Sequence, residues 1–126
     1  MKKSTFVLIL ASFFLFISCS SNSPKGIVTK YFKSVQAGKY TEAIKCFSFA
    51  AEADEEQIQE FAAKLETQQQ KEGAALKSFK ILEEVIDKET GKGVVKVLVT
   101  NSEGIEEEQE IPVVNVDGKW MLEFGK

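Results

Sequence analysis

The chain contains no histidine, and all sixteen of its basic residues are lysines, so arginine is absent as well. Arginine's rigid fork is the usual means of gripping phosphate or carboxylate, and histidine is the usual proton carrier near neutral pH. Without them, nucleic-acid recognition, histidine-ligated zinc and triad-type catalysis all lose their ordinary tools. Nineteen acids outweigh the lysines to give a net charge of −3, so the broad positive field that attracts nucleic acid is missing too. Cysteines and prolines number two each, and there is a single tryptophan. The longest apolar stretch, Phe6–Ile17, has 12 residues and is interrupted only by Ser12, short of the roughly 20 that a spanning helix requires. A length of 126 residues argues for one domain.

That short run explains one of the two cysteines. Met1-Lys2-Lys3 is a positive n-region, and Phe6–Ile17 has the length of a signal-peptide h-region. The run ends on Phe16-Ile17-Ser18-Cys19. This resembles the bacterial lipoprotein box, with Phe16 where leucine is usual, small Ser18 at the cleavage position and Cys19 at +1. The resemblance implies cleavage between Ser18 and Cys19 and diacylation of the Cys19 sulfur. Each buried CH₂ contributes about 0.8 kcal/mol, so two or three chains anchor firmly where one does not. The mature chain then carries fourteen lysines against nineteen acids, a net side-chain charge of −5. With Cys19 lipidated, Cys46 has no partner for an intramolecular disulfide. Its apolar surroundings in "YTEAIKCFSF" suggest a buried small hydrophobe.

Beyond a short uncharged tether, Ser20–Ser23, the pattern is helical and then extended. Ser23-Pro24 is a helix start, and Ile27, Val28, Tyr31, Phe32 and Val35 form one stripe that Gly38 terminates. A second helix is expected from Tyr40 to Phe47, with Tyr40, Ala43, Ile44 and Phe47 on one face. Asp54-Glu55-Glu56-Gln57 reads as a capping box opening a third, with Ile58, Phe61, Ala62 and Leu65 inward and Gly73 as C-cap. After Gly73 the period becomes two. Four strands are expected at about 76–86, 92–100, 105–116 and 119–124, separated by "DKETGKG", "NSEG" and Asp117-Gly118. "VVKVLVT" is apolar on both faces at its centre and so suits a well-covered strand. Pro112 marks an edge or a bulge. Helices followed by an antiparallel meander make an α+β plan, with the sheet curled around the first helix.

Together, "SPKGIVTKYFKSVQAGKYTEAIKCF" and the terminal "VVNVDGKWMLEF" resemble the DUF4878-type lipoproteins of the NTF2-like (cystatin-like) superfamily. The resemblance covers nearly the whole mature chain, and its motifs are fold signatures without a catalytic element. It implies N-terminal helices packed on a curved four-stranded antiparallel sheet, with a cone-shaped pocket behind the sheet's aromatics. Candidate lining residues of that pocket or core are Tyr31, Phe32, Phe61, Phe79, Val97 and Trp120, with Leu122 and Phe124 on the face of Trp120. The superfamily includes isomerase- and dehydratase-like enzymes as well as accessory domains, so fold leaves function open.

Proton-shuttling chemistry of the isomerase kind needs inward acids with shifted pKa values. The three aspartates are otherwise engaged: Asp54 as a cap, Asp87 and Asp117 in turns. Tyr31 and Tyr40 fit as core aromatics. Glu83, which interrupts the alternation of the first strand, is the remaining candidate base; the competing reading is a bulge or a solvated edge. In "EGIEEEQEI", Glu106, Glu108 and Glu110 share one strand face and Glu107 takes the other. Calcium wants six to eight converging oxygens, and alternate residues of a strand lie almost 7 Å apart, so a solvated, aggregation-resistant edge is the better account. No catalytic residue, metal site or cofactor is assigned.

The sequence thus supports a signal peptide over 1–18, a lipidated Cys19 with tether over 19–23, and one domain over 24–126. The expected role is a non-enzymatic binding or accessory module, with a small isomerase- or hydratase-like enzyme or a carrier of an apolar compound as alternatives. Its expected partners are the membrane, through the anchor, and a protein of the envelope. The tether reaches under about 20 Å and carries no acidic residue, so the domain is expected at the outer membrane, facing the periplasm. Replacing Cys19 with alanine should abolish acylation and release the chain from membranes, while external protease should spare the wild type on intact cells. Wild-type protein in the soluble fraction, without acyl mass on its N-terminal peptide, would remove the anchor from this account.

Overall fold

In the computed structural model, residues 23–71 and 75–123 are described. Ser18, Cys19, Gly73 and Phe124 lie outside them. Helix α1 (Pro24–Gln36) begins where Ser23 accepts a hydrogen bond from the Gly26 N–H at 3.0 Å, with Pro24 in the first turn. It ends in a Schellman arrangement: Lys39 N–H donates to Ser34 O at 2.8 Å and Gly38 N–H to Val35 O at 3.1 Å. Gly38 carries the required positive φ of 77°. Ile27, Val28, Phe32 and Val35 are buried as the stripe requires, and Tyr31 is half-buried.

Helix α2 covers only Tyr40–Ile44. The expected continuation to Phe47 is not made. Phe47 is extended (φ −85°, ψ 147°) and forms a parallel bridge with Leu122, before a 3₁₀ turn at Ser48–Ala51 that the sequence pattern did not signal. Pairing with the sheet overrides the helical periodicity here. Helix α3 (Glu55–Gln69) opens on the expected capping box, Gln57 N–H donating to Asp54 Oδ1 at 2.8 Å and Asp54 N–H to Gln57 Oε1 at 3.2 Å.

The four strands are β1 (Leu76–Asp87), β2 (Lys92–Asn101), β3 (Glu106–Val116) and β4 (Lys119–Leu122), antiparallel in sequence order. They curl into a half-barrel whose concave face receives α1. The β3–β4 turn has positive φ at both Asp117 (54°) and Gly118 (85°), as a type I′ hairpin requires. Register shifts in β1 fall between Leu76 and Ser78 and between Ile81 and Glu83. The second is the bulge that places Glu83 on the solvated face, where its carboxylate lies 3.8 Å from Lys96 Nζ. Across the outer face, Glu83, Lys96 and Glu110 stand side by side, as do Val85, Val94 and Pro112.

One core lies between α1 and the sheet, built on Val28, Val95, Val97, Val113 and Leu122, all with no exposed area. A smaller cluster joins α2 to α3 through Ile44, Ile58 and Ala62. The coverage expected on both faces of β2 holds for Val95 and Val97 on the inner face; Val94 and Leu98 on the outer face are only half-buried. Gly93 sits opposite Ile86 where no side chain fits: a Cβ would lie 2.5 Å from Ile86 Cδ1 and 2.7 Å from the Val85 carbonyl oxygen.

Leu122→Ala should cost about 2–5 kcal/mol, because a fully buried side chain is removed from a site held on both flanks. Gly93→Ala should cost about 1–3 kcal/mol, since a backbone oxygen cannot move aside without disturbing the β1–β2 ladder. Denaturant melts of the two variants measure both; a wild-type midpoint for either would contradict the packing described.

Candidate functional site

Between α1, the end of α3 and the concave sheet face lies a cavity of about 340 Å³. It is more enclosed than two larger depressions, about 790 and 610 Å³, on the lysine-bearing solvent faces of α1 and α3. Helix α1 contributes Tyr31, Phe32 and Val35, and Phe47 closes one flank. Gln68 and Gln69 come from the last turn of α3, and Ala75 and Leu76 from the entry to β1. The sheet supplies Val99, Asn101, Gln109, Ile111, Pro112, Leu122 and Glu123.

The aromatic wall is ordered by edge contacts: Tyr31 meets Phe32 at 5.1 Å and Phe47 at 5.5 Å between centroids, near perpendicular in both cases. Phe79 stacks on Phe32 at 5.2 Å from outside the cavity. Of the other residues singled out in the sequence, Val97 lies in the core. Phe61 belongs to the α2–α3 cluster and touches Phe49 at 4.9 Å. Trp120 packs half-buried against the core and borders a groove at the β1–β2 turn. Of that set, Tyr31 and Phe32 line the cavity, Phe79, Val97 and Trp120 share the core with them, and Phe61 lies in the other cluster.

What the sequence reading missed is the ring of carboxamides. Gln69 Oε1 accepts from the Leu76 N–H at 2.8 Å, tying α3 to β1. Asn101 Oδ1 accepts from the N–H groups of Glu103 and Ile105, each at 2.9 Å, and so shapes the β2–β3 turn. The Gln109 side chain makes no hydrogen bond among the described residues, although it is half-buried beside Val97 on the inner face. The signal for it was present: with the even-numbered glutamates outward, Gln109 shares the inward alternation of Ile111 and Val113.

The titratable groups divide clearly. Burial pushes the Tyr31 phenol above its ordinary value, and the nearby Cys46 adds to the effect, so the hydroxyl stays protonated as a hydrogen-bond donor. Glu123 lines the cavity but its carboxylate lies 3.7 Å from Lys92 Nζ, on a half-exposed rim. Glu83 is on the opposite face of the sheet. Asp54, Asp87 and Asp117 occupy the cap and the turns expected of them. No group of three or more His, Cys, Asp or Glu side chains among the described residues is arranged to hold a metal. No described helix is long and apolar enough to cross a membrane.

These features agree with a family model, a domain of unknown function called DUF4878, which matches residues 17–123. The chain belongs to the DUF4878 family. Its fold is also that of a crystal structure from Campylobacter jejuni, provisionally described as an NTF2-like transpeptidase. That similarity has a TM-score of 0.57 and 17% identity, and spans 82% of this chain and 100% of the other. At that identity the likeness carries the fold alone. Among curated proteins, nothing matches this DUF4878 chain.

Cys46 is the free cysteine of the described residues, 2% exposed, its Sγ 3.6 Å from the Glu42 carbonyl oxygen. Burial, opposed by Lys30 and reinforced by Glu42, raises its pKa from 9.0 to about 11. The neutral thiol therefore favours folding in full below pH 9. Between pH 9 and about 11 the unfolded chain binds fewer protons than the folded one, so this contribution is lost as pH rises. Iodoacetamide should label native Cys46 slowly at pH 8 and rapidly after unfolding, and Cys46→Ala should show a shallower alkaline loss of stability than wild type. Rapid native labelling would contradict the burial.

Proposed function

We propose that this DUF4878 chain is a lipid-anchored module of the bacterial envelope that holds a ligand or partner at its cavity rather than transforming it. The cavity carries this reading. Its walls are aromatic and aliphatic, and its polar groups are carboxamides and one neutral phenol, with the Glu123 carboxylate on the rim, a set suited to fixing the orientation of an uncharged group by hydrogen bonds. Proton shuttling asks for an inward acid held near the operating pH beside its partner donor. Tyr31 supplies a donor, but the carboxylate on the same cavity faces Lys92 at 3.7 Å. The thiol chemistry of an acyl-transfer enzyme asks for an accessible thiolate, whereas Cys46 is buried with a raised pKa. The transpeptidase description stays with the Campylobacter jejuni protein.

The anchor reading supports a location at the outer membrane with the domain held close beneath it. The uncharged tether from Ser20 to Ser23 leaves the domain within reach of a partner in the same membrane.

The cavity can be probed with N-phenyl-1-naphthylamine, a neutral apolar fluorophore. Wild type should give a saturable rise in emission, and Val99→Trp, which fills the space, should weaken binding at least tenfold with a melting temperature within a few degrees of wild type. Equal uptake by both proteins would place the binding outside the cavity and overturn this reading.

A further inference from the structure

Strand β4 is much shorter than β3. Among the described residues it pairs with Val113–Val116 only, and the last bond along this edge runs from the Glu123 N–H to the Pro112 carbonyl oxygen at 2.9 Å. Pro112 has no N–H to complete that pair. From Glu106 to Ile111, β3 therefore has a strand on one side alone among the described residues. Which backbone groups this frees follows from the alternation. Asn115 N–H donates to Gly91 and the Ile105 carbonyl accepts from Asn101, both toward β2, while Pro112 faces β4. The β2–β3 register between them has no shift. The N–H and C=O groups of Glu106, Glu108 and Glu110 thus point away from β2.

The two open edges of the sheet differ. That of β1 is interrupted by two register shifts, which protect an edge against pairing; that of β3 is regular. The β3 edge also borders the cavity, whose wall includes Gln109 and Ile111. A strand added here would direct alternate side chains inward beside Glu107, Gln109 and Ile111, and the others outward beside Glu106, Glu108 and Glu110. Those three glutamates are exposed and form no ion pair among the described residues. Like charges oppose pairing of this edge with a second copy of itself, and favour lysine or arginine at the outward positions.

We propose that this edge and the cavity form one peptide-binding site: an extended basic peptide adds as a strand along Glu106–Glu110 and seats an apolar side chain beside Gln109. The inference rests on the cavity reading above and names the class of partner.

The test uses the full chain in nonionic detergent and the probe acetyl-Lys-Leu-Lys-Leu-Lys-amide, with affinity read by calorimetry. Wild type should bind the probe. Binding should weaken at least tenfold when the lysine amides of the probe are N-methylated, and likewise with Glu108→Lys. Glu108→Pro should have the same effect while leaving the melting temperature within a few degrees, because the N–H it removes points away from β2. Binding unchanged by N-methylation and by both variants would overturn the proposal. So would binding that appears only after residues 124–126 are removed, which would assign the edge to the chain's own C-terminus. A dimer by analytical ultracentrifugation that Glu108→Pro dissolves would assign it to a second copy and equally overturn it. If the naphthylamine responds to Val99→Trp but the probe peptide does not bind wild type, this inference fails and the cavity reading stands. If Val99→Trp alters neither, both fail.

Discussion

Leu122 joins the two layers of this protein. Its N–H donates to the Cys46 carbonyl oxygen at 2.8 Å, its backbone bridges Phe47 in parallel, and it pairs with Val113 in the sheet. With no exposed area, its side chain also sits in the core beneath α1. The chain leaving α2 is thereby fastened to the last strand. That attachment ends the helix at Ile44, turns Phe47 against Tyr31 and sets one flank of the cavity. A buried backbone group without a partner costs about 1–3 kcal/mol, so hydrogen bonding at this junction outweighs continuation of a short helix.

The cavity follows from the same geometry. Helix α1 fills the concave face where Val95, Val97 and Val113 are fully buried, but the sheet extends beyond it toward Val99 and Asn101. At that end the last turn of α3 covers the space from one side only, linked to β1 through Gln69 and Leu76. The polar groups there suit a partly hydrated space. Carboxamides cost less to desolvate than charges, and two of the four are already fixed by backbone N–H groups.

Charge is distributed unevenly. Lysines 25, 30, 33 and 39 lie along α1 and the turn after it, whereas glutamates 106, 107, 108 and 110 crowd one end of β3. On a short sheet edge such a run discourages self-pairing. Because the edge adjoins the cavity, the same residues also bias which extended chain could approach it.

Local rules made much of this legible in the sequence. Ser23, Pro24 and Gly38 bound α1, the Asp54–Gln57 box opens α3, and Asp117-Gly118 closes the last hairpin, because each is satisfied within a few residues. Strand positions were equally clear from the two-residue period, whereas which face of β2 is covered was not, because both faces are apolar at its centre. Phe47 was misjudged because its partner, Leu122, is seventy-five residues away. Phe61 was grouped with Tyr31 because an apolar stripe shows that a residue is inward without showing which of two clusters receives it; Trp120 does share the core of Tyr31 but not its cavity. The sequence by itself determined the elements, their caps and turns, and the supply of residues without histidine or arginine. Only the tertiary structure decided that Tyr31, Gln109 and the end of α3 surround one space, that Glu83 stands outside it, and that among the described residues β4 pairs with Val113–Val116 and not with the acidic half of β3. These depend on register and on contacts between distant segments, which local periodicity does not encode.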